Sequence, residues 1–219
     1  MLTNNILLKS FIKTRKDKKL QKKLKLILKE KSELFNSMSR NYKDSYKFKQ
    51  IKNFKGKNNV RLIGMGGSIL GSQAIYNFLR DKIKNKFYFI NNLDHFKKTD
   101  YKKKFTNLII SKSGNTLETI ANTNIYIKKK DKNIFVTENK NSYLLNLANQ
   151  LKTEIVNHNN FIGGRYSVLS EVGMLPAELM GFKPEKFRRL NKLINNKYFI
   201  SSLIQNVTNI FDLVNKKKT

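Results

Sequence analysis

The chain has 219 residues, no cysteine, and 45 lysines and arginines against 15 aspartates and glutamates, a formal charge of +30. That length allows one sizeable core with flanking helices, and 39% hydrophobic residues support a folded chain; the lack of cysteine excludes disulfides and thiolate metal ligands and fits a cytosolic setting. The lysines are spread over nearly every segment beside many asparagines, so the charge predicts salt-dependent adhesion to polyanions and no specific nucleic-acid partner, whose footprint would concentrate on one element.

Residues 1 to 16 carry Lys9, Lys13, Arg15 and Lys16 with no acid, superficially like a transit peptide, but the same acid-poor bias runs through the rest of the chain. No apolar run approaches the roughly 20 residues of a membrane span, and no signal-peptide core leads to a small-residue cleavage site. The expectation is a cytoplasmic protein with no membrane partner. Residues 1 to 55 read as a basic helical segment whose Leu20, Leu24, Ile27, Leu28 and Leu34 form one apolar stripe. The stripe is expected to pack on a core, since no aromatic residue anchors it to a lipid surface. The lysines around Gly56, between Asn53 and Asn59, mark a linker.

From Val60 strands alternate with helices. Val60, Leu62 and Ile63 give a first strand, followed by the glycine-rich turn Gly64-Met65-Gly66-Gly67-Ser68-Ile69-Leu70-Gly71 and a helix whose face is expected at Ala74, Ile75, Phe78 and Leu79. The turn fits neither nucleotide fingerprint: Ile69 occupies the third glycine position of G-x-G-x-x-G, and Ser72 and Gln73 stand where a P-loop needs Lys and Ser/Thr. Its glycines still allow the main chain to approach a ligand closely. Phe87 to Ile90 is a second strand ending in Asn91-Asn92-Leu93-Asp94, and 97–104 is a polar connection, expected helical. Leu108-Ile109-Ile110 is a third, fully buried strand.

After that strand comes Ser111-Lys112-Ser113-Gly114-Asn115-Thr116, a run of hydroxyls with one cation, and then a helix with Leu117, Ile120, Ala121, Asn124 and Ile127 at helical spacing. Hydroxyls at a helix start lie beside backbone N–H groups that have no partner within the helix, an arrangement that holds an anion. Asn133 to Thr137 is the fourth strand, Tyr143 to Leu151 a helix, and Glu154 to Val156 a fifth strand. Such alternation predicts an α/β fold, a doubly wound parallel five-stranded sheet with helical extensions at both ends, and ligands held beyond the carboxyl ends of the strands. Both special loops lie at such ends. His95 and His158 stand alone, without a second His or a carboxylate at metal-ligand spacing, so no metal is expected.

Gly163-Gly164-Arg165-Tyr166-Ser167-Val168 then leads into a helix through Val172, Leu175 and Leu179. An arginine after two glycines can reach a site as an always protonated donor, with a structural salt bridge as the competing reading. Pro184 to Lys216 reads as two further helices, with Phe187, Leu190, Leu193 and Ile194, then Leu203, Val207, Ile210, Phe211 and Val214, on the buried faces.

Three segments in order, Gly64-Met65-Gly66-Gly67-Ser68, Ser111-Lys112-Ser113-Gly114-Asn115-Thr116-Leu117-Glu118-Thr119 and Gly163-Gly164-Arg165-Tyr166-Ser167-Val168, resemble phosphoglucose isomerase (glucose-6-phosphate isomerase), as does Asn92-Leu93-Asp94. The Ser-Lys-Ser-Gly-Asn-Thr loop is common to many sugar-isomerase (SIS) domains; Gly-Gly-Arg-Tyr-Ser is the discriminating segment. The resemblance implies an SIS-type sheet, a helical segment over 1–55, an SIS domain over 56–160 and an Arg-bearing segment with helices over 161–219. It implies that Ser111, Lys112, Ser113 and Thr116 bind the sugar phosphate, that Gly67 and Ser68 wall the sugar hydroxyls, and that Arg165, after Gly164, stabilises the enediolate.

The implied reaction interconverts glucose 6-phosphate and fructose 6-phosphate by moving a proton from C2 to C1, without cofactor, in a protein that is a homodimer at full length. A prepositioned donor at the developing oxyanion contributes about 3 kcal/mol. The family's glutamate base, ring-opening histidine and late lysine belong to a second SIS domain that this chain does not match. Glu171 and Glu178 are expected to be solvent or interface residues. The expectation is an incomplete chain with little or no turnover alone, because losing a general base costs about 10² to 10⁴-fold. A non-catalytic SIS module that senses a sugar phosphate is the alternative.

Overall fold

The computed structural model describes residues 18–30, 32–56, 59–93, 104–128, 131–189 and 194–216. Outside these lie residues 1–16, Asp94, His95, most of the 97–104 connection, Leu190 and Leu193. The chain divides into two compact units, one spanning Arg40–Arg188 and the other made of the segments to either side.

In the flanking unit, α1 (Lys18–Lys29) has no buried residue, and Ile27 and Leu28 of the expected stripe are exposed. Short α2 (Glu33–Ser37) is capped by Ser32, whose hydroxyl accepts from the Phe35 amide at 3.3 Å, with Glu33 suiting the positive end of the helix.

The Arg40–Arg188 unit is built on five parallel strands, β1 (Asn59–Gly64), β2 (Phe87–Ile90), β3 (Phe105–Ile110), β4 (Lys132–Thr137) and β5 (Glu154–Asn157), in the order β2-β1-β3-β4-β5. Helices cover both faces. Val60, Leu62, Leu108, Ile110, Ile134 and Val136 face α3 (Phe48–Lys52), α4 (Leu70–Phe78) and α7 (Glu171–Leu179) through Ile51, Ile75, Val172 and Leu175. On the opposite face Ile63, Ile109 and Phe135 meet α5 (Leu117–Tyr126) and α6 (Tyr143–Gln150) through Ile120, Leu144 and Ala148. The apolar runs in the carboxyl-terminal halves of β1, β3 and β4 follow from this two-sided burial.

At the opposite end of the strands from the two special loops, the α5 face becomes polar. Arg61, Asn107 and Asn133 stand side by side in register on β1, β3 and β4. Arg61 donates to Asn107 Oδ1 (3.2 Å) and the Tyr126 carbonyl (2.8 Å), Asn107 donates to Asn133 Oδ1 (2.8 Å), and Asn133 donates to the Lys128 carbonyl (3.1 Å). The Arg61 guanidinium lies 3.9 Å from the Phe105 ring centroid. A satisfied network of this kind is tolerated in a core where an unpaired guanidinium would not be.

Two helix faces differ from expectation. On α4 the inward line is Ser72, Ile75, Tyr76 and Leu79, with Ala74 and Phe78 exposed. On α5 it is Thr119, Asn122 and Thr123, with Leu117 exposed. Two of these polar groups bond the main chain: Thr123 Oγ1 donates to the Thr119 carbonyl at 2.6 Å and Asn122 Nδ2 to the Asn92 carbonyl at 3.2 Å.

Of the two helices expected beyond α7, the first falls partly outside the described residues, which show a 3-10 turn at Pro184–Lys186, and the second is a long helix, α8 (Lys197–Asn215). The Asn196 side chain caps α8 by accepting from the Tyr198 and Phe199 amides, both at 3.0 Å. Ile204 is its buried residue, while Leu203, Ile210, Phe211 and Val214 are exposed. No described helix is long and apolar enough to cross a membrane.

Candidate functional site

The strand order places a reversal between β1 and β3. After β1 the chain passes through α4 on one face, and after β3 through α5 on the other. The loops leaving two such strands diverge and open a crevice at their carboxyl ends. The glycine-rich turn and the hydroxyl loop are those two loops.

The hydroxyl loop is held from below and behind. The Ser111 amide donates to the Val136 carbonyl (3.0 Å), and Gly114, in the left-handed region at φ +66°, closes a turn onto the Ser111 carbonyl (3.2 Å). A side chain at Gly114 would overlap the Ser142 hydroxyl and approach Thr137 Oγ1 at 2.9 Å. The N-terminus of α6 grips the loop, the Leu144 amide donating to the Gly114 carbonyl (3.0 Å) and the Tyr143 amide to Asn115 Oδ1 (2.9 Å).

Three hydroxyls result, in different states. Ser111 is buried, with its Oγ 3.1 Å from Thr116 Oγ1. If Ser111 donates in that pair, the Thr116 hydrogen remains to donate outward. Ser113 is exposed, and its oxygen accepts from the Asn115 amide at 3.2 Å, so its hydrogen also remains to donate outward. Thr116 begins α5 by accepting the Ile120 amide at its carbonyl (2.9 Å), but its side chain does not cap the first turn. The helix thus presents its positive end beside the hydroxyls.

Lys112 is placed differently from a solitary cation over the loop. Its ammonium donates to the carbonyls of Asn160 (2.8 Å) and Ile162 (3.1 Å) and lies 3.5 Å from Glu138 Oε1. The side chain therefore runs from the hydroxyl loop to the segment just before Gly163.

The glycine-rich turn meets the arginine segment directly. Gly66 is in the left-handed region at φ +52° and opens a 3-10 turn, Gly66–Ser68. A methyl on Gly67 would overlap the Gly164 carbonyl and stand 3.0 Å from the Arg165 nitrogen; one on Gly71 would come within 2.6 Å of Val168 Cγ2. Gly64 packs less tightly on the third strand, where a Cβ would lie 3.0 Å from the Ile110 carbonyl oxygen. Ser68 is half-buried in the same turn. Arg165 is exposed at the start of the 3-10 helix Gly164–Leu169, and among the described residues it forms no ion pair.

Beneath this segment lies a group of buried titratable side chains with no motif in the sequence. Glu171, expected at the surface, is fully buried: its Oε1 accepts the Asn159 amide at 2.7 Å and lies 3.7 Å from His158 Nδ1. His158 Nδ1 faces the Asn159 carbonyl at 3.1 Å, which requires the hydrogen on Nδ1. Burial drives both groups toward their neutral forms, raising Glu171 above its ordinary 4.5 and lowering His158 below its ordinary 6.5. Glu178, also expected at the surface, is largely buried and pairs with Lys55 at 3.2 Å.

Arg188 completes the support. Its Nε and Nη2 donate to the Leu169 carbonyl at 3.0 and 2.8 Å, and Nη2 donates to Asp44 at 2.6 Å. No spacing rule joins residues 144 positions apart. Among the described residues, no three His, Asp or Glu side chains gather as metal ligands do.

The chain matches a family model described as phosphoglucose isomerase over residues 12–218. Glucose-6-phosphate isomerase of Methanocaldococcus jannaschii is 36% identical over 166 residues, 68% of this chain and 40% of that protein. That of Acholeplasma laidlawii is 32% identical over 162 residues, 64% of this chain and 37% of that protein. The chain thus spans about two fifths of the length of these relatives. In fold, it is similar to a hypothetical protein of Thermus thermophilus (TM-score 0.67, 20% identity, 88% of this chain and 51% of that one). It is also similar in fold to tagatose-6-phosphate ketose/aldose isomerase of Escherichia coli (TM-score 0.50, 14% identity, 66% and 44%).

Proposed function

The chain belongs to the phosphoglucose isomerase family, and on that premise we propose that it carries the phosphate-binding and enediolate-stabilising half of a glucose-6-phosphate isomerase site. The observation that carries the reading is the seating of Gly67 against the Gly164–Arg165 peptide, next to the strand whose end bears the hydroxyl loop.

In this reading the hydroxyls of Ser113 and Thr116, backed by Ser111, hold the 6-phosphate of a hexose with the α5 amides and the main chain at Lys112. Gly67 and Ser68 leave room for the sugar. A base removes the C2 proton, charge develops on the neighbouring oxygen, and Arg165, with the Gly164 main chain beside it, stabilises that charge. Arg165 suits the role because a guanidinium stays protonated and needs no proton of its own to move. Glu171 is buried under the segment and bonded to the Asn159 amide, so the base comes from the family's second SIS domain. The working protein is a cytoplasmic homodimer of glycolysis and gluconeogenesis.

The test is calorimetric titration of this chain with fructose 6-phosphate, followed by a coupled turnover assay with a C-terminal SIS half added. Binding with turnover in the mixture supports the isomerase. The burial of Glu171 favours a second reading, a sugar-phosphate sensor, for which binding without turnover in either setting is expected. Absence of binding removes both.

A further inference from the structure

The cation in the middle of the hydroxyl loop is bonded to the main chain of a distant segment. Lys112 Nζ has three hydrogens to donate. The carbonyls of Asn160 and Ile162, at 2.8 and 3.1 Å, take two, and Glu138 stands 3.5 Å away on the remaining side. The Glu138 amide donates back to the Lys112 carbonyl at 3.1 Å, so main chain and side chain of the pair are both joined.

Within the segment that Lys112 holds, Asn159 supplies further bonds. Asn159 Oδ1 accepts the Phe161 amide at 2.9 Å, its carbonyl accepts the Ile162 amide at 3.2 Å, and its own amide is taken by Glu171. That bonding leaves the Asn160 and Ile162 carbonyls pointing away from the turn, and the ammonium spans them. Gly163, Gly164 and Arg165 follow at once, with Gly164 seated on Gly67.

We propose that Lys112 is a positioning residue: its ammonium fastens the 160–162 turn to the hydroxyl loop and so fixes the distance between the phosphate site and Arg165. The proposal rests on the Arg165 reading given above and goes beyond it by assigning how that residue is held. A lysine swung wholly onto the phosphate would give up both carbonyls, leaving the buried Ile162 carbonyl without its charge-assisted partner.

The experiment compares wild type with Lys112→Met, Lys112→Arg, Arg165→Met and the Lys112→Met/Arg165→Met double variant. Each is titrated with fructose 6-phosphate and with inorganic phosphate at about 150 mM salt, where charges beyond about 8 Å are screened. Hydrogen exchange of residues 158–166 is followed without ligand, and circular dichroism confirms that each variant is folded.

Lys112→Met is expected to speed exchange in 158–166 and to lower the ratio of fructose 6-phosphate to phosphate affinity about tenfold, as Arg165→Met does. The double variant is expected to lose no more than either single one, and Lys112→Arg to recover most of the ratio. Equal losses for the two ligands in Lys112→Met, or unchanged exchange in 158–166, overturn the positioning role. An Arg165→Met variant with unchanged fructose 6-phosphate affinity overturns the Arg165 reading instead, and the exchange data then still decide whether Lys112 fastens the turn.

Discussion

Gly67 lies directly against Gly164, so closely that a single added methyl would overlap the Gly164 carbonyl oxygen. The obstructing atoms are main chain and cannot swing aside, so Gly67→Ala must displace the arginine segment, the glycine turn, or both. The variant is expected to lose about 1 to 3 kcal/mol of stability in urea unfolding and at least about tenfold in fructose 6-phosphate affinity. Wild-type values for both would remove the contact from the site.

The 3.1 Å pairing of Ser111 and Thr116 hydroxyls makes one act through the other. Thr116→Ala is expected to weaken fructose 6-phosphate and inorganic phosphate together, by about tenfold each. Ser111→Ala, which removes the buried hydroxyl of the pair, is expected to produce part of that loss, and the double variant little beyond Thr116→Ala. Calorimetric titration of the three variants checks this; strictly additive losses would mean two independent ligands.

His158 should give the Arg40–Arg188 unit an acid-sensitive stability. Burial lowers its folded-state pKa, helped by Lys112, against the Asn159 carbonyl and Glu138. The folded protein therefore binds this proton less well than the unfolded chain, so the contribution is complete above pH 6.5 and is lost as pH falls from there through the folded value. Glu171 works in the opposite sense: raised above 4.5 by burial, it contributes stability that is full below 4.5 and lost as pH rises through its folded value. His158→Gln isolates the first effect. Urea midpoints at about pH 7.5 and 5.5 should show the wild type losing more on acidification than the variant; parallel losses would exclude His158.

Removing the Arg188 guanidinium leaves Asp44 buried without its cation and the Leu169 carbonyl without two donors. Arg188→Met is therefore expected to cost about 3 to 5 kcal/mol in chemical denaturation, and Asp44→Asn less, since the amide oxygen still accepts. A cost below about 1 kcal/mol for Arg188→Met would show that the segment rests on its other contacts.

The sheet was legible because β1, β3 and β4 are covered on both faces and so read as short apolar runs toward their carboxyl ends, and the position of both special loops followed from the strands. The helix faces were not, because α5 buries Thr119, Asn122 and Thr123, the last two with side chains bonded to main-chain carbonyls, while Leu117 and Phe78 are exposed. A reading based on apolar periodicity passes over such residues. Within the site, the residue types of the hydroxyl loop could be read locally, whereas the attachment of Lys112 to carbonyls 48 and 50 positions away could not. The seating of Glu171 under Asn159 likewise depends on the closed fold.

The side-by-side Arg61, Asn107 and Asn133 have a consequence for how the sheet assembles. Sliding one of these strands by a single position would turn its residue toward the opposite, oily layer and strand a guanidinium or a carboxamide there with nothing to bond. Aliphatic neighbours alone would accept a slipped alignment at small cost; this trio rejects it, and so acts as a key that only one alignment of the three central strands can turn.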